Sequence, residues 1–83
     1  MKNGISARQV RAARVLLNWS QDELAYRAGV ALSALARFER DRSEAITRVN
    51  TIAYVVGALE KGGVEFIAPH DGSGEGVRLR GPS

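Results

Sequence analysis

The chain has 83 residues, no cysteine and a formal net charge of +3 at neutral pH. That length allows one small domain whose core is marginal by itself, so that oligomerisation would help it; without cysteine there is no disulfide framework and no cysteine-based metal site. No apolar run approaches the roughly 20 residues of a membrane span, and the opening MKNGISARQV lacks the apolar core of a signal peptide, so a soluble, cytoplasmic protein is expected.

Residues 1–4 are expected to fray. Ser6 and Gln9 then form a capping-box pattern, with Ile5 and Val10 as its hydrophobic staple. A first helix is expected from about Ala7 to Leu17, with Val10, Ala13 and Leu17 as its buried stripe and Asn18 ending it in a left-handed turn. Ser20, Gln21, Asp22 and Glu23 repeat the capping box, and Trp19 and Leu24 repeat the staple. The second helix, about 21–28, places Leu24, Ala25 and Ala28 on one side. Gly29 follows, where a helix ends and left-handed backbone is often needed. Val30, Leu35 and Phe38 are spaced for a third helix, about 31–40. Two short helices across a brief turn with Gly are a helix-turn-helix pattern. Ala25 is small enough to sit where they cross.

Residues 41–44, DRSE, read as a loop. A fourth helix should start at Ala45 or Thr47 and reach Lys61, with Val49, Ile52, Ala53, Val56 and Leu59 as its core stripe. Tyr54, Val55 and Ala58 widen the apolar surface beyond one small core, which predicts a partner on part of it. Gly57 inside this helix costs about 1 kcal/mol relative to Ala, and a close backbone approach would explain it. Gly62 and Gly63 stop the helix. VEFIA (64–68) reads as a strand, PHDGSGEG (69–76) as a loop and VRLR (77–80) as a second strand.

Charge is unevenly spread. Residues 1–48 hold nine bases (Lys2, Arg8, Arg11, Arg14, Arg27, Arg37, Arg40, Arg42, Arg48) and five acids (Asp22, Glu23, Glu39, Asp41, Glu44), a net +4, whereas residues 49–83 carry a net −1. The basic half suits a polyanion; a solvated surface is the plain alternative. Ten of the twelve bases are Arg, the better residue for forked contacts to phosphate or guanine.

The run WSQDELAYRAGV, followed by LARFER, resembles the Cro and lambda repressor-like helix-turn-helix family, also called Xre. The usual pattern there is L-S-Q-x-E-L-A-x-x-A-G-V-S, then I-S-x-I-E-R-G. The likeness extends over residues 6 to 60. The chain departs from it at Ala31, where Ser or Thr usually caps the third helix, and at Asp41, where Gly is usual. The stretch GVEFI, a Gly-rich loop and GVRLR resemble a tail seen on one branch of that family. The resemblance implies a mostly α fold: a four-helix lambda repressor-like DNA-binding domain over 5–61, with a short C-terminal β-strand or hairpin extension over 62–80.

It also implies roles. Leu32, Ser33, Ala36 and Arg37 would face base edges in the major groove. Arg37 has the fork for guanine O6 and N7, Ser33 donates or accepts, and Leu32 and Ala36 suit a thymine methyl. A phosphate contact for Arg37, and simple exposure for Leu32, are the alternatives. Ser20 and Gln21, at the start of the second helix, would meet a phosphate. Arg40, Arg42 and Arg48 would do the same, with plain solvation as the alternative. Arg14 and Glu39 correspond to a structural ion pair between the first and third helices. Trp19 is expected in the core and Tyr26 on a partly exposed helix surface.

His70, the only histidine, lies in a Gly-rich loop with Asp71 and Glu75, too few convergent ligands for a metal or for acid–base chemistry. The acids are scattered, and no nucleophile–base pair stands out. No enzyme and no cofactor are expected. The sequence therefore points to a transcriptional regulator, in first place a repressor that binds a palindromic operator in double-stranded DNA as a homodimer in the cytoplasm, on the nucleoid. The alternative is an antitoxin that also binds a toxin protein. Dimerisation is expected through the tail (Val64, Phe66, Val77, Leu79) beside Tyr54 and Val55, with tails pairing across subunits and Glu65 opposite Arg78 or Arg80. A hairpin folded over its own helices as a lid is the other arrangement.

Overall fold

The computed structural model describes residues 4–40 and 49–81. Helices α1 (Ala7–Leu17), α2 (Gln21–Ala28), α3 (Leu32–Arg40) and α4 (Val49–Gly62) are followed by strands β1 (Val64–Ile67) and β2 (Gly76–Leu79). The expected loop at 41–44 and the start of the fourth helix lie outside the described residues. The architecture is the expected one: mostly helical, with a short C-terminal antiparallel hairpin.

Local chemistry sets the helix ends. Ser6 caps α1 with both halves of the box, its hydroxyl accepting from the Gln9 N–H and Gln9 Oε1 accepting from the Ser6 N–H. Asn18 closes α1 at φ 61°, and Gly29 closes α2 at φ 70°. At α2 only half the expected box forms. Ser20 accepts from the Glu23 N–H, but the Glu23 carboxylate turns to Arg27, one turn on. At the start of α3, Ala31 contributes no side-chain cap; its carbonyl accepts from the Ala34 and Leu35 N–H groups.

The core joins Val10 and Ala13 of α1, Leu24 and Ala25 of α2, Leu35 and Phe38 of α3, and Val55, Ala58 and Leu59 of α4 to Val64 of β1. This corrects the reading of α4. Val55 is 1% exposed and Ala58 is buried, whereas Ala53 is exposed with Tyr54, Asn50 and Gly57. The helix is rotated from the expected stripe because α2 and β1 both pack on it, and together they cover the Val55–Ala58–Leu59 side. Val55 is therefore core, not a surface for a partner.

Gly57 faces open space, so no close approach explains it. Gly57→Ala is expected to stabilise the protein by about 1 kcal/mol through helix propensity, raising the melting temperature by about 4–8 °C. An unchanged or lower melting point would mean the site is covered. The close approach lies instead at Gly62, where a Cβ would come within 2.7 Å of the Trp19 ring and 2.9 Å of Leu17. Trp19 packs there, half-buried against the core, with the Arg27 guanidinium 4.4 Å from its ring centroid on the other side.

The strands pair within the chain: Val64 with Leu79, Glu65 with Arg78, Phe66 with Val77 and Ile67 with Gly76. Within the chain the hairpin takes the lid arrangement, folded over its own helices, with Glu65 opposite Arg78. An isolated hairpin is marginal in water, but this one is docked. Val64 is fully buried, and Phe66 and Val77 pack against the core. Gln9, itself buried, donates through Nε2 to the carbonyls of both Ile67 and Gly76. Glu75 Oε2 accepts from Ser6 Oγ and from Arg8. Its carboxyl is held below the usual carboxylate range, first by a hydrogen bond from its own backbone N–H, then by Ser6 and Arg8. At the tip, His70 and Ser73 exchange backbone bonds around Asp71 (φ 51°) and Gly72 (φ 82°), so Asp-Gly supplies the two left-handed residues of a tight hairpin turn.

Candidate nucleic-acid interface

The site is built on α2 and α3. Ser20 holds α2 by its hydroxyl, so the first N–H groups of that helix point out with the positive end of its dipole. Val30 and Leu35 anchor the turn and α3 to the core, which leaves the opposite side of α3 to solvent. Leu32 is 43% exposed, Ser33 and Arg37 are exposed, and Ala36 is half-buried between them. The four positions fall one helical turn apart in two pairs, 32 with 36 and 33 with 37, and so share one surface. Arg40 is exposed at the end of the helix. Arg42 and Arg48, expected at a phosphate, lie outside the described residues.

The angle of α3 is set by a network at its far end. Glu39 is 3% exposed. Its carboxylate accepts from Arg14 Nε and Nη2, both at 2.8 Å, and from Gln21 Nε2 at 2.9 Å. Arg14 also donates to the Trp19 carbonyl, and Arg11 donates to the Glu39 carbonyl. The bond to Glu39 raises the Arg14 pKa above its usual value, so the guanidinium stays charged. One carboxylate therefore ties α1, α2 and α3 together. Gln21 is in this network and not free: one amide N–H is committed to Glu39, which leaves the other for a phosphate. Sequence reasoning missed the Gln21 and Arg11 contacts, because both join residues far apart in the chain and neither has a local signal.

The other cations of the helical half are largely engaged. Arg8 pairs with Glu75, Arg27 with Glu23 and the Trp19 ring, and Arg11 with the end of α3. Among the described residues Arg37 and Arg40 have no hydrogen-bond or ion-pair partner, and both belong to α3. No group of His, Asp or Glu among the described residues is arranged to hold a metal ion.

Residues 10–49 match the model of the Helix-turn-helix family, a span that takes in α2, α3 and most of α1. These residues are a Cro and lambda repressor-like helix-turn-helix domain. The protein is thus a DNA-binding transcription regulator. A comparison with curated proteins finds no match. No helix among the described residues is long and apolar enough to cross a membrane. Within the helix-turn-helix domain α3 holds the position of the recognition helix, and its outward side carries Arg37 and Arg40, which have no partner among the described residues.

Proposed function

We propose that the protein is a repressor that binds a palindromic operator as a homodimer and acts by occluding promoter DNA. The observation that carries this is the outward surface of α3, where exposed Leu32 and Ser33 stand beside Arg37 and Arg40, which have no partner among the described residues. Ser20 and Gln21 at the start of α2 would grip a phosphate, as would Arg40, Arg42 and Arg48. Leu32, Ser33, Ala36 and Arg37 would read bases, with Arg37 on guanine. A two-fold dimer suits such a reader, since it sets two recognition helices about 34–36 Å apart on successive major-groove turns.

Selection from a random duplex pool should return an inverted repeat, and affinity for it should fall with salt at a log–log slope of about −0.9 per phosphate neutralised. Binding to duplex DNA that ignores salt would sink the reading. A second role, as an antitoxin, would draw on exposed apolar residues such as Tyr54, 59% exposed on α4. Co-purification with a second small protein encoded beside it would support that role.

A further inference from the structure

The outward side of α3 consists of two rows that differ in chemistry. Ser33 and Arg37, one turn apart, are polar and exposed. Leu32 and Ala36, also one turn apart, are apolar. Val30 and Leu35 on either side of Leu32 are drawn into the core, whereas Leu32 is 43% exposed. A single exposed leucine is ordinary, but this one stands in the first turn of the recognition helix. Side chains on a helix lean toward its N-terminus, so Ala36 leans over the turn that holds Leu32, and the two make one apolar surface. Ala31, where Ser or Thr usually caps the helix in this family, adds a methyl in place of a hydroxyl.

Such a surface can sense one feature of the major groove. The polar features of a base edge there are hydrogen-bond donors and acceptors, and the apolar one is the C5-methyl of thymine. Leu32 and Ala36 have no polar side-chain atom, so they discriminate by that methyl or not at all. Cytosine differs from thymine in two ways: it lacks the methyl, and it shows an N4 amino donor where thymine shows an O4 acceptor. A carboxylate beside the methyl would favour the amino group, and a cation the carbonyl oxygen. The outward side of α3 has no carboxylate, since Glu39 is buried, and its nearest cation, Arg37, is assigned to guanine in the proposed function. Its one hydroxyl, that of Ser33, serves a donor and an acceptor alike. The surface is thus equipped to detect the methyl and not the group at position 4.

We infer that Leu32 and Ala36 form a contact site for the C5-methyl of a pyrimidine beside the guanine held by Arg37, and that this site accepts 5-methylcytosine as readily as thymine. Residues 36 and 37 are adjacent, with Cα atoms about 3.8 Å apart. That is close to the spacing of about 3.4 Å between successive nucleotides of one strand, so methyl and guanine fall on neighbouring base pairs. A site with cytosine at that position binds more tightly once the cytosine is methylated, and DNA methylation then tunes the affinity of the regulator. The inference deepens the base contacts of the proposed function and rests on them.

Selection from three random duplex pools tests it: one with the ordinary bases, one with uracil in place of thymine, and one with 5-methylcytosine in place of cytosine. In the ordinary pool thymine should be preferred beside the guanine. In the uracil pool that preference should vanish, because no base then carries the methyl. In the third pool thymine and 5-methylcytosine should be returned about equally. On the selected site, uracil for thymine should weaken binding about fourfold per half-site, the effect of one methyl-sized group left without apolar contact. Leu32→Ala, folded by circular dichroism because Leu32 is exposed, should tell thymine from uracil by less than about twofold. A preference for uracil that persists at that position, or rejection of 5-methylcytosine there, overturns the inference and leaves an operator with its guanine intact. Pools that all return no preferred sequence overturn the regulator reading along with it.

Discussion

Glu39→Ala is expected to lower stability by about 3–5 kcal/mol, because it strands a charge rather than merely removing a bond. The carboxylate is 3% exposed and accepts from Arg14 twice and from Gln21 once. Without it the Arg14 guanidinium, 18% exposed, keeps only the Trp19 carbonyl as a partner. Domains of this kind are stable by only about 5–15 kcal/mol, so the loss is a large share of the total. The melting temperature should fall by more than about 10 °C. Replacing both partners by apolar residues, Arg14→Met with Glu39→Leu, should recover much of it, since no charge is then buried alone. A single variant that melts with the wild type would show that water reaches the pair freely.

Arg37→Ala is expected to cost about 1–3 kcal/mol of operator binding and to relax preference at one position per half-site, as loss of a forked guanine contact does. Folding should be untouched, because Arg37 is exposed and has no partner among the described residues. Arg37→Lys should not restore the preference, since an ammonium lacks the planar fork. Gln21→Ala offers the contrast. It should weaken all duplexes about equally through the lost phosphate contact, and should also lower the melting point, because Gln21 supports Glu39. Uniform loss of affinity across sequences on Arg37→Ala would instead assign Arg37 to a phosphate.

What could be read ahead of the fold was local. The ends of α1 and α2 fall where Ser6, Asn18, Ser20 and Gly29 place them, because a cap is decided by residues three or four apart. The Arg14–Glu39 pair was legible only through the family likeness. The face of α4 was not legible: apolar residues run almost all round it, so periodicity alone could not choose between the Ala53 side and the Val55–Ala58 side. The choice is made by β1 and α2, which are distant in sequence. The docking of the hairpin was hidden for a similar reason. Two short strands looked too weak to stand alone, and nothing near them shows that Gln9 would bond both of their carbonyls. Asp71-Gly72 was a local turn signal, and it was overlooked inside a Gly-rich loop.

The Gln9 clasp also has a consequence in time. It joins residues 58 and 67 positions apart, so loop closure across nearly the whole chain precedes it, and such contacts form late and slowly. A ribosome that has released only the helices has made the exposed side of α3 but not yet the strand that covers Gln9 and Val64. The nascent regulator should therefore remain open to proteases along α1 until β2 emerges, and pulse proteolysis of stalled chains of increasing length should find protection arriving in one step, after Gly76.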